Sequence, residues 1–247
     1  MLKHTLPNRK TIFPLLFVLA ALAVLVPSCK KKVRSDISKV LFEETKNKAF
    51  KNLDADTFAV VFQKLIAAQK SSLANPKLIS SYYESKDYEP TLVLQHLAKG
   101  GLKTIPEHLQ RSEEHGLDPK MFKADLLSEI LTGIYDKNTI TNVEKAYTEL
   151  ARLELTMANS LINYNNALQY GILSPRKIYA NYYTETKRPD STSMLKVFAV
   201  KDLKSYLDSI QPKDPQYLAL QTALKAGTVG TGMKENEFKR ILKVNLE

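Results

Sequence analysis

The fold class follows from the stretch Val143-Glu-Lys-Ala-Tyr-Thr-Glu-Leu-Ala-Arg-Leu-Glu-Leu-Thr-Met-Ala-Asn-Ser-Leu-Ile-Asn-Tyr-Asn-Asn-Ala-Leu-Gln-Tyr-Gly171. Its large apolar side chains recur at intervals of three, four and seven residues, and this spacing places them on one face of a helix. The face consists of Val143, Tyr147, Leu150, Met157, Leu161, Tyr164 and Leu168. Because glycine commonly ends helices, Gly171 is expected to terminate a helix of about 25 residues.

Further helix starts are marked by a short polar residue directly before proline. This pair occurs at Asn75-Pro76, Asp118-Pro119, Ser174-Pro175 and Asp214-Pro215. The polar side chain can accept from a free backbone N–H, and proline's missing donor costs nothing at the first helical position. The spacing from Thr104 to Glu107 is that of a capping box. No stretch alternates with a period of two, so the sequence predicts an all-α, irregularly packed multi-helix domain over residues 36–226.

One glutamate interrupts the apolar face of the long helix. Glu154 stands in the row between Leu150 and Leu161, where an apolar residue is expected. Such a glutamate commonly lies at the border of a helix face, with its stem packed and its carboxylate in water or against an arginine. We therefore expect Glu154 to be structural and half exposed.

The residues that could carry chemistry are few. The only cysteine, Cys29, excludes an internal disulfide and a Cys-based zinc site. Three Ser-x-x-Lys strings occur, but chance supplies nearly as many, and their usual companion motifs are missing. His108 and His115 share a helix face about 10 Å apart, too far to bind one metal ion, and they are expected on a solvated face. We predict no catalytic, cofactor-binding or metal-binding residue.

The N-terminal residues have the pattern of a targeting segment. Lys3, Arg9 and Lys10 precede a short apolar run that ends in Val26-Pro-Ser-Cys29, followed by three lysines. The run is short for a membrane-spanning helix, which needs roughly 20 apolar residues. It resembles a lipoprotein signal peptide, which implies cleavage after residue 28, lipid attachment at Cys29 and a basic tether over 29–35. The alternative is an uncleaved anchor helix. Both place the body outside the cytoplasm, in the cell envelope, facing the periplasm.

The positive charge is concentrated near the N-terminus. The chain has 36 basic and 26 acidic residues, a formal charge of +10. Seven of the basic residues and none of the acidic ones precede Ser35, so the remainder carries only +3. Nucleic-acid binding requires basic residues clustered on a folded face, and this small excess argues against it.

Four segments of the body resemble, in order, the scaffold domain of the large periplasmic L,D-transpeptidases, which cross-link peptidoglycan stems between two diaminopimelate residues. The segments begin at Tyr82-Tyr-Glu-Ser, Leu109-Gln-Arg-Ser-Glu-Glu-His-Gly-Leu-Asp-Pro, Leu153-Glu-Leu-Thr and Gln211-Pro-Lys-Asp-Pro-Gln-Tyr-Leu. The closing Ile241-Leu-Lys-Val-Asn-Leu-Glu247 resembles the segment that leads into the family's catalytic domain. The glycine-rich stretch before it is expected to be a linker, so 227–247 is assigned as linker and start of a downstream region.

The resemblance implies a scaffold without its own chemistry. The family's catalytic histidine and its Ser-x-Gly-Cys-x-Arg motif have no counterpart in the sequence, so no catalytic residue is transferred. We expect the scaffold portion of a lipid-anchored L,D-transpeptidase, truncated before its catalytic Cys domain. Its expected partners are the membrane, through the anchor, and either peptidoglycan or a separate catalytic domain. The alternative is an independent helical envelope lipoprotein that binds a partner protein or a cell-wall glycan.

Overall fold

In the computed structural model, the described residues are 36–246 apart from 179–180, 182–184 and 228–232. Twelve α-helices and no strand occur in these residues, which confirms the all-α fold class. In chain order they are α1 (Ile37–Thr45), α2 (Ala55–Ala68), α3 (Pro76–Glu84), α4 (Thr91–His96), α5 (Thr104–Gln110), α6 (Ala124–Tyr135), α7 (Val143–Tyr170), α8 (Pro175–Ile178), α9 (Ser191–Ala199), α10 (Leu203–Ser209), α11 (Pro215–Ala226) and α12 (Glu235–Leu246). Short 3₁₀ helices lie between them at Lys48–Asn52, Lys70–Ser72, Ala98–Lys103, Arg111–His115 and Pro119–Phe122.

The long helix α7 is the centre of the domain. It has 28 residues, begins after the capping side chain of Asn142 and ends at Gly171, as predicted. Helices α2, α4, α6 and α9 pack against it. Every residue from Leu153 to Ile162 is buried, and a helix that is buried all round lies inside a bundle rather than on its surface. These four helices therefore take their positions from α7.

Local capping sets where several of the surrounding helices begin. The Asn75 side chain accepts from the backbone of Leu78 at the start of α3, and Asp214 accepts from Gln216 and Tyr217 at the start of α11. These predicted starts are confirmed. The predicted capping box at Thr104 is wrong, because the chain enters α5 directly from the preceding 3₁₀ helix and no side chain caps it.

A continuous hydrophobic core takes buried side chains from α1 to α7 and from α9 and α10. Its largest members include an aromatic group in which Tyr83 meets Phe62 and Phe198 edge-on, with ring centroids 4.7 and 5.7 Å apart. Tyr164 is also in the core, as predicted, and is 1% exposed. The whole core lies in the compact unit Ser35–Glu247, so this unit has what a domain needs to fold alone.

Helices α11 and α12 contact each other as a hairpin at the edge of the domain. No residue of α11 is fully buried, and Leu242 and Leu246 of α12 are buried outside the continuous core. The hairpin includes the part of 227–247 assigned above to the start of a downstream region. Among the described helices, none combines the length and apolar character that crossing a membrane requires.

Candidate functional site

The structure places the singled-out histidines in the interior. His108 and His115 are 6% and 4% exposed, so the prediction that they lie on a solvated helix face is wrong, and His96 is 4% exposed. Later parts of the chain cover the two rings on the Thr104–His115 stretch, and the sequence of that stretch could not indicate this. Cys29, the predicted lipidation site, lies outside the described residues. Within those residues, no group of three or more His, Cys, Asp or Glu side chains could hold a metal ion.

His108 connects α5 to α10. Its Nδ1 lies 2.9 Å from the Thr104 carbonyl oxygen and its Nε2 lies 2.9 Å from Asp208 Oδ1. Lys204 donates to the other oxygen of Asp208 at 2.7 Å. The hydrogen bonds from His108 and Lys204 lower the pKa of Asp208 to about 2. His108 is therefore part of a contact between helices.

Glu154 is fully buried, which contradicts the expectation of a half-exposed border residue. Its Oε1 accepts from the Tyr83 hydroxyl at 2.6 Å and from the Leu92 N–H at 2.9 Å, and its Oε2 accepts from the Val93 N–H at 2.9 Å. Burial raises the pKa of Glu154 to about 7, and these donors oppose that rise because they favour the charged form.

The Glu154 carboxylate caps a helix from a distant part of the chain. Leu92 and Val93 lie in the first turn of α4, where backbone N–H groups have no partner inside the helix. The residue before α4 is Pro90, whose side chain cannot cap. Glu154 supplies the missing acceptor from α7, and the helix dipole favours a negative charge there. The polar residue in the apolar row therefore joins α3, α4 and α7.

His115 joins the Arg111–His115 corner to the hairpin. Its Nδ1 lies 2.9 Å from the Tyr217 hydroxyl and 3.0 Å from Gln221 Nε2, both on α11. Gln221 Nε2 also lies 3.0 Å from the Glu114 carbonyl oxygen, to which it donates. Burial lowers the pKa of His115, although a hydrogen bond with Gln211 opposes this. A neutral ring fits the contacts, since Nδ1 can then accept from Tyr217 and Gln221.

The next residue, Gly116, brings α12 against the same corner. Its φ of 79° lies in the left-handed region, where glycine is favoured. A Cβ at this position would lie 3.1 Å from the Lys243 Cα and 3.3 Å from the Lys243 carbonyl oxygen. Two independent constraints therefore require glycine here: the backbone turn, and the close approach of α12.

A cleft of about 580 Å³ lies where the end of α7 meets the end of α12. Tyr170, Val244 and Asn245 line one part of it, and Lys177, Lys187 and Arg188 line another. No acidic side chain is among the described residues that line it. We call this feature the basic cleft.

Comparison with protein families decides the classification of the chain. The model of the family described as "Scaffold domain" matches residues 77–224, which is more than half of the chain. The chain belongs to the scaffold-domain family. This is the scaffold domain that the sequence resemblance to L,D-transpeptidases indicated. Searches of curated proteins and of solved structures found no match.

The four scaffold-domain segments recognised in the sequence contact one another. Tyr83 of the first segment bonds to Glu154 of the third, and His115 of the second bonds to Tyr217 of the fourth. Gln211, which opens the fourth segment, donates to the Tyr164 hydroxyl on α7 at 3.3 Å. The segments that identify the scaffold domain are therefore the places where its helices are joined.

Proposed function

We propose that this chain is the scaffold portion of a lipid-anchored L,D-transpeptidase that takes part in peptidoglycan cross-linking. The observation that carries the proposal is the scaffold-domain match over residues 77–224. The packing of α12 on Gly116 supports it, because α12 contains the closing segment that resembles the lead into the family's catalytic domain. In this role the chain positions a catalytic domain and does no chemistry itself.

The geometry suggests how a scaffold would direct its partner. The corner at His115 and Gly116 connects to both helices of the hairpin, through Tyr217 on α11 and Lys243 on α12. A catalytic domain joined to α12, or docked on it, would inherit the orientation of the hairpin. Holding reacting groups in a fixed orientation lowers the entropic cost of a reaction between two large polymers.

The location belongs to the same proposal. Lipid attached to Cys29 would anchor the domain to a membrane, facing the periplasm, through the basic tether 29–35. Two or more acyl chains give stable anchoring where one does not. The anchor would keep the scaffold within reach of the cell wall.

Two measurements test the proposal. The body, residues 36–247, incubated with tetrapeptide stems is expected to give neither exchange nor cross-linking, and turnover by a pure preparation would contradict the scaffold role. The DNA downstream of the codon for Glu247 gives the second test. A coding sequence with a Cys-containing catalytic motif, in frame or as a neighbouring gene, supports the proposal, and its absence contradicts it.

The second candidate function is an independent envelope lipoprotein that binds a partner protein or a glycan. The basic cleft favours this candidate, because a concave surface with several cations and no acidic lining residue suits a negatively charged ligand. A downstream gene unrelated to transpeptidases would favour it over the first proposal.

A further inference from the structure

One short stretch of the folded body carries an excess of positive charge. From Ser35 onward the chain has 29 basic and 26 acidic residues, a net charge of +3. Residues 175–189 contain four basic residues, Arg176, Lys177, Lys187 and Arg188, and one acidic residue, Glu185. This stretch therefore carries a net charge of +3. Such an excess gives a local positive potential that the total charge conceals.

Three of these four basic residues contribute to the cleft. Lys177, Lys187 and Arg188 line the cleft itself, and an adjoining hollow includes Arg176 and Glu185. The next acidic residue, Asp190, is occupied elsewhere, since its carboxylate accepts from the Ser193 N–H at 2.7 Å and caps α9. In the described part of the chain, no ion pair involves the four basic residues.

Some charged residues of the described chain form ion pairs. Arg152 meets Glu149 at 2.9 Å, and Lys204 meets Asp208 at 2.7 Å. A group of cations gathered round a concave surface without such partners repels itself unless an anion neutralises it. Arginine binds carboxylates through two parallel hydrogen bonds, whereas lysine contributes a point charge.

We propose that the basic cleft binds a carboxylate-bearing peptide. If the proposed function is correct, on which this second step rests, that peptide is a stem peptide of the cell wall, held by the scaffold rather than by the catalytic domain. The shape of the site favours a peptide over a membrane surface. The cations face a cleft that also contains Tyr170, Pro189 and Val244, and a narrow chain can fill such a recess while a flat bilayer cannot.

The test measures binding of the tetrapeptide stem to the body, residues 36–247, by calorimetry. The double variant Lys187→Gln/Arg188→Gln is expected to weaken binding by about tenfold or more, because hydrogen bonds that involve a charged group are stronger than those between neutral groups. The conservative variant Lys187→Arg/Arg188→Lys is expected to retain most of the affinity. A stem with all its carboxylates amidated is expected to bind no better than the double variant.

A matched control removes the same charge elsewhere. Lys39→Gln/Lys64→Gln replaces two exposed lysines on α1 and α2 and is expected to leave the affinity unchanged. Equal weakening by both double variants would show attraction to overall charge and would overturn the proposal. Absence of binding by the unaltered body would also overturn it. Binding to phosphatidylglycerol vesicles and not to the stem would overturn it as well, if the double variant Lys187→Gln/Arg188→Gln abolishes the vesicle binding.

The two proposals can fail separately. Stem binding by the cleft without a catalytic domain encoded nearby would contradict the transpeptidase role and leave the peptide site intact. A catalytic domain encoded downstream, combined with no stem binding, would contradict the peptide site alone.

Discussion

The Tyr83 hydroxyl donates to Glu154 Oε1 at 2.6 Å, although the two residues are 71 positions apart in the chain. The same carboxylate accepts from the Leu92 and Val93 N–H groups in the first turn of α4. One buried side chain on the central helix therefore orders two other helices. A buried acceptor with several donors is costly to remove, since each donor left without a partner destabilises the fold.

Replacing Glu154 by Gln is expected to destabilise the body by about 1–3 kcal/mol, because the amide NH₂ faces backbone donors and leaves one unsatisfied. Chemical denaturation at pH 7 measures the change. The control Glu129→Gln alters an exposed glutamate on α6 and should stay within about 0.5 kcal/mol of the unaltered body. Equal stability of the two variants would show that Glu154 does not have the structural role assigned to it.

The pH dependence of stability should carry the signature of Glu154. Its pKa is raised from 4.5 to about 7 in the folded state. Between these values the native carboxyl holds a proton that the unfolded chain has released, so its contribution to stability falls as the pH rises. Glu154→Gln is expected to remove this part of the pH dependence between pH 4.5 and 7. If the free energy of unfolding of the variant has the same slope against pH as that of the unaltered body between pH 4.5 and 7, the raised pKa of Glu154 is refuted.

His115 should act in the opposite direction. Burial lowers its pKa below the ordinary 6.5, with Glu114 opposing and Arg111 assisting the shift. As the pH falls below 6.5 the unfolded chain takes up a proton before the native ring does, so stability is lost. His115→Gln is expected to reduce that acid loss. The substitution should not abolish the loss of stability at acid pH, because burial also lowers the pKa of His96. An unaltered loss below pH 6.5 in the variant would count against the buried neutral ring.

Gly116→Ala is expected to loosen α12. The substitution adds the strain of a left-handed φ, about 1–2 kcal/mol, and a Cβ only 3.1 Å from the Lys243 Cα. Gly100→Ala is the matched control, because Gly100 also has a left-handed φ but a Cβ there meets nothing within 4 Å. Hydrogen exchange of 235–246 should accelerate in the Gly116 variant only. Similar acceleration in both variants would mean that the close approach contributes nothing.

The lipid anchor gives a prediction outside the described residues. The full chain expressed in a Gram-negative host is expected to incorporate a labelled fatty acid, and Cys29→Ser is expected to abolish the labelling and leave the leader uncleaved. Gel mobility and mass spectrometry check both outcomes. Labelling that persists without Cys29, or an unlabelled chain held in the membrane by its uncleaved leader, would support the alternative anchor helix.

Features that depend on neighbouring residues could be predicted from the sequence. The helix starts at Asn75 and Asp214 and the end of α7 at Gly171 require only the residues beside them. The role of Glu154 could not be predicted, because its backbone donor at Leu92 is 62 residues away. The burial of His115 could not be predicted for the same reason, since its partner Tyr217 on α11 is 102 residues away. The sequence contains one signal, a polar residue in an apolar row. That signal does not distinguish a residue at the border of a helix face from a residue in a buried hydrogen-bond network.

The basic cleft could not be predicted from the sequence either. Its basic residues follow the long helix, but the part formed by Val244 and Asn245 comes from the last described helix. The small net charge of the body gave no indication of a local excess of positive charge. Only the fold brings the two parts together.

The proposed role in cross-linking can be tested on the composition of the cell wall. In a host that lacks its other L,D-transpeptidases, deletion of this gene is measured by muropeptide analysis with and without a plasmid copy. The account predicts that cross-links between two diaminopimelate residues disappear on deletion and return with the plasmid, provided that the neighbouring catalytic coding sequence is left intact. An unchanged level of these cross-links in the deletion strain would contradict the account.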